Sequence, residues 1–585
     1  MNKLNRILEV GLHLVFLVLF VLSVLHYKER LFADSAYFFF HAVNAEWFHI
    51  EHQRLLLGFS QIFPVIGSWF ALPLKYLLLS YSLGIEVLYY FLFLFLAYGL
   101  KDKAAAWGLV LVHLIGQLWL FYVPSLESCH AAALAIVLYA VLRKTNASKD
   151  DKWLILLLLL EWLVLFSHPA NMLFVPIIIL FDVLHSKWKA RIHISMTAFF
   201  LIGLFLRFAL ISEYDQANLE STEGSFVEKA FSSSSWSFFT AIVTSYYFDL
   251  MLLLLANLVF LLVTKAIKQA LLLVFSFFGF SILIQALKPI EGFYFFVESS
   301  LVPLVFVGVF FFVFSFMTQL KGQAKTVVPL LLFGIIGFRI FWIVDFGEKF
   351  EMRKNQMDQV VDQAQQQYNS KYILQKENIN KEYSMPTWAN PIEGLIFSAL
   401  DGPEASVSLI TQEDLDYEQN KRNLNDSSFV LRKFDLMDYQ ALNSAYFKLR
   451  KVPYQKLNTA SFQLAPEEFA KHVKVKVLEG QLLQFKSSDS TASIKVQILN
   501  PTKFPLPSAS DSELFIACHW YKADGELLLW DGRRNLLEVD VKGEFEQHIT
   551  VNLPQEKGGY YLQPDLVIEG KMWYQFSEQY RVEVL

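Results

Sequence analysis

Cysteine is nearly absent, with two in 585 residues, Cys129 and Cys518. They lie far apart and lack the spacing of a metal site. That sets aside a disulfide framework, and each reads as a small buried hydrophobe. Charge is scarce too, at 18% of residues. No basic run is present, so nucleic acid is not an expected partner. What abounds is apolar: 55% of residues are hydrophobic and 56 are phenylalanine. The net charge of −5 decides little, because charge is unevenly placed. Residues 1–345 are apolar with short basic gaps, and residues 346–585 are polar and mixed in sign. A chain of this length exceeds one compact domain. The expected class is a polytopic α-helical membrane bundle followed by an extracytoplasmic α/β region and a C-terminal β-sandwich.

Lys3 and Arg6 precede the first apolar run, Ile7 to Leu25, and Tyr27-Lys-Glu-Arg30 follows it without a small-residue cleavage site. It reads as a retained helix, although an uncleaved signal sequence has the same pattern. At about 20 apolar residues per crossing, the spans fall at roughly 7–25, 83–100, 104–123, 128–142, 153–167, 169–184, 194–212, 240–263, 270–287, 299–318 and 326–344, about eleven in all. One alternate set of gaps is basic: Lys101 to Lys103, Arg143 to Lys152, Lys187 to Arg191, Lys265 to Lys268 and Lys321 to Lys325. The other set, with Ser125 to His130, Ser167 to Pro169, Glu213 to Glu228 and Lys288 to Glu291, is mostly acidic or neutral. The positive-inside rule then predicts a cytoplasmic N-terminus and puts residues 346–585 outside. Gln61 to Ser80 is apolar but broken by Pro64, Gly67, Pro73 and Lys75, and is expected to lie at the interface or re-enter. If it spans, every later parity flips.

On that topology Glu86, Glu161, Arg207, Asp249, Lys288, Glu298 and Arg339 map to the outer parts of their helices, and Glu127, His130 and His168 to outer helix ends. His13, His113 and Asp182 do not follow the trend. Ionisable groups in a membrane tend to face a cavity or to pair. The set therefore predicts a wet, charged cavity open to the outside. The plainer account of each residue singly is snorkelling or a structural ion pair. The first outer loop, residues 26–82, adds Asp34, Tyr37, Phe38-Phe39-Phe40, His41, Glu46, His49, Glu51, His52 and Arg54. The His and Glu spacing matches no zinc pattern, and an amphipathic helix lying on the membrane is a better account of Ala42 to Ser60 than a metal site.

The short basic N-terminus, one helix, the long loop with an Asp in Phe32-Ala-Asp-Ser-Ala-Tyr37, the multi-span bundle and a soluble outer portion resemble the GT-C superfamily of integral membrane glycosyltransferases. The resemblance covers residues 1–345 in architecture. It lacks the Asp-Glu pair and the second-loop Asp-x-Asp forms of some branches. It implies transfer of a sugar from a polyprenyl-phosphate carrier to an extracytoplasmic glycan, lipid or protein acceptor. Asp34 is then the expected catalytic base and stabiliser of the sugar-centred cation. Arg207, Lys288, Arg339 and Arg54 are candidates for the leaving phosphate. Tyr37, Glu127, His130, His168 and Glu298 complete the expected substrate-binding set. No cofactor or metal ligand set is assigned, and a divalent metal such as Mg or Mn stays open.

Residues 346–384, Gln-rich and helix-favouring, read as a stalk, and residues 385–470 as a small α/β or α+β unit. Residues 472–585 carry short strands with turns every ~8–12 residues, as in a β-sandwich. His519-Trp-Tyr-Lys-Ala-Asp-Gly525, Asp531-Gly-Arg-Arg534 and Asp565 to Gly570 with Trp573 resemble an Ig-like domain of bacterial glycan-assembly proteins. That resemblance implies a bacterial inner membrane. Trp520, Trp530, Tyr560, Tyr561 and Trp573 are either sugar-stacking residues or core. Two rival functions stand beside the transferase. One is a transporter or flippase for a lipid-linked glycan, against which stands the absence of an internal repeat. The other is a non-catalytic assembly protein of the cell envelope.

Overall fold

Runs of Leu, Ile, Val and Phe become helices in an apolar setting because a helix pairs every backbone group within its own segment. The computed structural model describes residues 3–147, 152–186, 188–221, 225–287, 290, 292–367, 369–375, 385, 387–457, 470–478, 482–502, 506, 514–539, 541–569, 572–576 and 578–585. They are mostly helical, with a β-rich C-terminal region. Among the described residues six helices are long and apolar enough to cross a membrane: Ile7–Leu25, Leu74–Gly99, Ala190–Ala209, Ile267–Leu287, Phe295–Gln319 and Ala324–Gln365. A seventh arises if Phe226–Tyr246 and Phe248–Val263, bent by 89° at their junction, form one span.

The expected count of about eleven spans is therefore not confirmed among the described residues. The reason lies in the backbone. An apolar run need not be an unbroken helix. The run at 104–123 breaks after Ile115 and resumes as a 3-10 turn, Trp119–Tyr122. Lys152–Leu165 has 14 residues and ends before Ser167. Separately, the stretch Gln61 to Ser80, not counted among those spans, divides between the 12-residue helix Gly58–Trp69 and the start of Leu74–Gly99, after Pro73.

Within an apolar 18-residue stretch of each, 83% of Phe295–Gln319 is buried against 22% of Ala190–Ala209, so the first is central and the second peripheral. Ala324–Gln365 is one helix of 42 residues, spanning both the last apolar run and the start of the polar segment. Its length of ~60 Å is about twice a bilayer's hydrocarbon thickness.

The chain divides into two compact units. One holds Met1–Lys354, Ala364–Leu374 and Met385–Leu457, and the other is built chiefly from Asn458–Leu585. In the first, a small parallel sheet runs in the order Ser408–Thr411, Lys371–Leu374, Gln455–Lys456. Parallel pairing needs a crossover, and the helix Asn390–Ala399 lies between the first two strands in sequence. A hairpin, Ser428–Arg432 with Asp435–Asp438, follows.

In the second unit two sheets enclose one core. The larger runs Leu527–Leu529, Leu514–Lys522, Gly558–Ile568, Tyr580–Val584, Leu482–Phe485, and the smaller Gly543–Asn552, Thr491–Asn500, Lys474–Val477. Period-two alternation turns Ile494, Val496 and Ile498 inward. Leu482–Phe485, which the sequence does not flag, pairs parallel to Tyr580–Val584. Both cysteines are free and buried. Trp520, 1% exposed, and Tyr560 belong to the core, whereas Trp530 is 37% exposed. Trp520→Ala is expected to cost about 3–5 kcal/mol. Denaturant unfolding followed on the β-rich unit measures it, and a loss under about 1 kcal/mol would place Trp520 outside the core's main packing.

Candidate functional site

Asp34 stands in the first turn of the helix Asp34–Ala45, where the helix dipole favours a negative group. Positions 34, 37, 41 and 44 recur at helical spacing and make one polar face. Phe39, Phe40 and Val43, on the other faces, are fully buried. Asp34 itself is half-buried. Ala33 before it is buried at φ 50° and ψ −114°, a conformation a Cβ disfavours. The Ala33 N–H donates to Glu393 Oε1 at 3.0 Å.

One turn on, the Tyr37 hydroxyl donates to Glu51. His49 Nε2 lies 3.2 Å from the same oxygen, and His52 Nε2 3.8 Å from the other. The Tyr37 ring is covered by the Arg432 guanidinium at 4.6 Å and touched edge-on by Trp388 at 5.4 Å. His41 stacks on His49 at 4.4 Å, and its Nε2 is buried without a hydrogen bond among the described residues. Burial and the neighbouring His49 keep His41 neutral, its pKa brought down to about 3.

Burial alone raises the Glu51 carboxyl, but the bonds from His49 and Tyr37 outweigh it and bring the pKa down from 4.5 to about 2. A carboxylate depressed in the folded state stabilises the fold above its unfolded pKa, and that contribution fades as pH falls through the window from 4.5 to about 2. Glu51→Gln should therefore flatten the fall in unfolding temperature across that acid window. Equal slopes for the two proteins would remove Glu51 as its source.

Beside this cluster lies a closed set of four charges. Arg54 Nη1 bonds Glu127 at 2.8 Å and Arg54 Nη2 bonds Asp215 at 2.7 Å. Arg207 Nη2 is 3.5 Å from the other Asp215 oxygen, and its Nη1 donates to the Gln53 carbonyl at 2.9 Å. Arg207 Nη2 is buried and makes no hydrogen bond among the described residues. His52 stacks on Tyr214 at 4.6 Å, so Glu51 and Arg54 sit at two ends of one polar ribbon. His168 caps the turn Pro169–Leu173, its Nδ1 accepting from Ala170 N at 3.3 Å. Burial brings the His168 pKa down to about 4, which suits an accepting nitrogen.

The other expected site residues lie in contacts of their own. His130 Nδ1 is 3.1 Å from the Tyr89 hydroxyl, and its Nε2 is 3.2 Å from the Pro124 carbonyl. Tyr89 stacks on His113, which bonds Glu86 at 2.7 Å, and Glu86 also takes Arg30 at 3.1 Å. Glu298 accepts from the backbone N–H of Leu118 at 2.6 Å and of Leu120 at 2.9 Å, fixing the break after Ile115. Arg339 makes two hydrogen bonds to Asp249, one at 2.6 Å. Lys288 lies outside the described residues.

The fold thus brings Asp34, Tyr37, Arg54, Glu127, His168 and Arg207 onto elements joined by the first loop. It places His130, Glu298 and Arg339 in separate buried networks. Among the described residues no group of three or more His, Cys, Asp or Glu side chains is placed to hold a metal ion. Trp388, Glu393 and Arg432, which the sequence does not single out, join the Asp34 region from beyond residue 385. No local pattern could have found them, because their contacts cross more than 350 residues. No protein-family model, curated protein or solved structure matches this chain.

Proposed function

We propose that this protein is a membrane glycosyltransferase that moves a sugar from a polyprenyl-phosphate carrier to an extracytoplasmic glycan, lipid or protein acceptor. One observation carries it: a half-buried carboxylate, Asp34, opens a helix whose polar face leads through Tyr37 and Glu51 to Arg54 and Arg207. Such transfer needs a base for the acceptor and cations for the phosphate. Asp34 takes the proton from the acceptor hydroxyl. The acceptor oxygen bonds the sugar's anomeric carbon, and the bond from that carbon to the phosphate oxygen breaks. The phosphate leaves with the electron pair, and Arg207 Nη2 is the donor with capacity to spare for it.

The same reading keeps the N-terminus in the cytoplasm and residues 346–585 outside, as the basic gaps favour. It treats the two-sheet unit as an Ig-like domain of a bacterial inner-membrane protein. The test is direct. Purified protein, given polyprenyl-phosphate-linked sugars and a cell-envelope glycan extract, should release polyprenyl phosphate above a protein-free control. No release from any carrier in the panel would remove the enzyme reading. Movement of intact carrier across a vesicle bilayer would favour the flippase instead.

A further inference from the structure

Strain at Ala33 needs a cause, because a non-glycine residue keeps a positive φ only where its surroundings over-determine it. The chain on either side is clamped. The Phe32 ring meets Phe295 at 5.2 Å and Phe350 at 5.3 Å, and the Arg353 guanidinium lies over it at 4.8 Å. Ala33 offers its N–H to Glu393 Oε1 at 3.0 Å. Glu393 is wholly buried at the start of the helix Asn390–Ala399. It forms an ion pair with Arg353, and Thr387 Oγ1 lies 3.3 Å from the same Oε1. Arg353 in turn bonds Asn390 Oδ1 at 3.2 Å. A second tie lies at the far end of the Asp34–Ala45 helix. Asn44 Nδ2 donates to the Ala441 carbonyl, and Asn44 Oδ1 accepts from Asn443 N, both at 2.8 Å. The helix carrying Asp34 is thus held at both ends by residues beyond 385.

We infer that Glu393 is a positioning residue: its carboxylate holds the strained Ala33 backbone and thereby sets the placement of the Asp34 side chain. Asp34's catalytic role rests on the function proposed above; the holding role does not. The polar segment 387–457 is then a working part of the Asp34 site rather than an appendage. A merely structural Glu393 would stabilise the fold without controlling position 34.

Removing Glu393 alone would strand the buried Arg353 charge, so the test uses matched pairs in the full chain. Position 34 is made reactive with Asp34→Cys in a Cys129→Ala, Cys518→Ala background. One variant adds Glu393→Gln with Arg353→Met, which keeps an acceptor for Ala33 N–H. The other adds Glu393→Leu with Arg353→Met, which does not. Both lose the ion pair. N-ethylmaleimide in detergent solution should modify position 34 roughly 10-fold faster in the leucine variant, the scale set by one lost bond to a buried N–H. Equal rates overturn the proposal. Should the leucine variant not fold, hydrogen exchange on the unmodified chain decides. Ala33 N–H should be protected like the helix amides that follow, and rapid exchange there overturns the proposal. Neither measurement needs a substrate, so a failed transfer assay and a failed positioning test remain distinct results.

Discussion

Asp34→Asn should lower sugar transfer by about 10²–10⁴-fold while the unfolding temperature stays near that of the unmodified protein. The two halves of this expectation have different sources. Asparagine keeps the size of aspartate and is well tolerated at a helix start, so the Asp34–Ala45 helix should still form. Its amide takes no proton from a hydroxyl and cannot offset positive charge developing on the sugar ring. The apolar faces of the helix, Phe39, Phe40 and Val43, are untouched by the change. Asp34→Glu separates the two requirements: the charge survives but is displaced by a methylene, so part of the rate should return. Transfer at the full rate by the asparagine variant would take the base role away from Asp34. A variant that neither transfers nor folds would instead mark Asp34 as structural.

Some of this was legible in the sequence, for definite physical reasons. Ile7 to Leu25 is an unbroken apolar run behind Lys3 and Arg6, and it is a helix over its whole length. Thr491 to Asn500 alternates with period two, and it is a strand with every second side chain inward. Asp34 stood out because a carboxylate next to a hydrophobic span is costly to leave in lipid. What stayed hidden is what local pattern does not encode. The break after Ile115 is set by Glu298, whose carboxylate takes two backbone N–H groups from nearly 180 residues away. Around 116–123 only Gly116 and Gln117 interrupt the apolar run, too little to tell a break from a continued span. The bend between Tyr246 and Phe248 likewise follows no Pro or Gly. Glu393 lies in a segment that reads as a small α/β or α+β unit, and it is its contact with Ala33 that ties it to the site.

A stability effect as large as that of Trp520→Ala is expected at Arg54. Two carboxylates, Glu127 and Asp215, share this one guanidinium, with side chains 6% and 9% exposed. Arg54→Met would leave two nearly buried acids beside Arg207, which pairs with Asp215 and, among the described residues, not with Glu127. Breaking a buried pair from one side typically costs about 3–5 kcal/mol, because the stranded charge keeps its desolvation penalty without its partner. Arg54→Lys should recover only part of the loss. A single ammonium cannot donate in fork geometry to two carboxylates at once.

The informative variant is Arg54→Met with Glu127→Leu. It removes one charge of each sign and leaves Arg207 with Asp215. It should therefore be more stable than Arg54→Met alone, although it carries one substitution more. Thermal unfolding in detergent compares the three, and the ordering is the result that counts. If the double variant is the less stable, the arginine and the two acids act independently, and the four charges are separate pairs rather than one network. If the order holds, any phosphate drawn to Arg207 enters a site whose charge is already balanced. Its binding should then weaken only gently with added salt, because a site of no net charge has little long-range attraction for salt to screen.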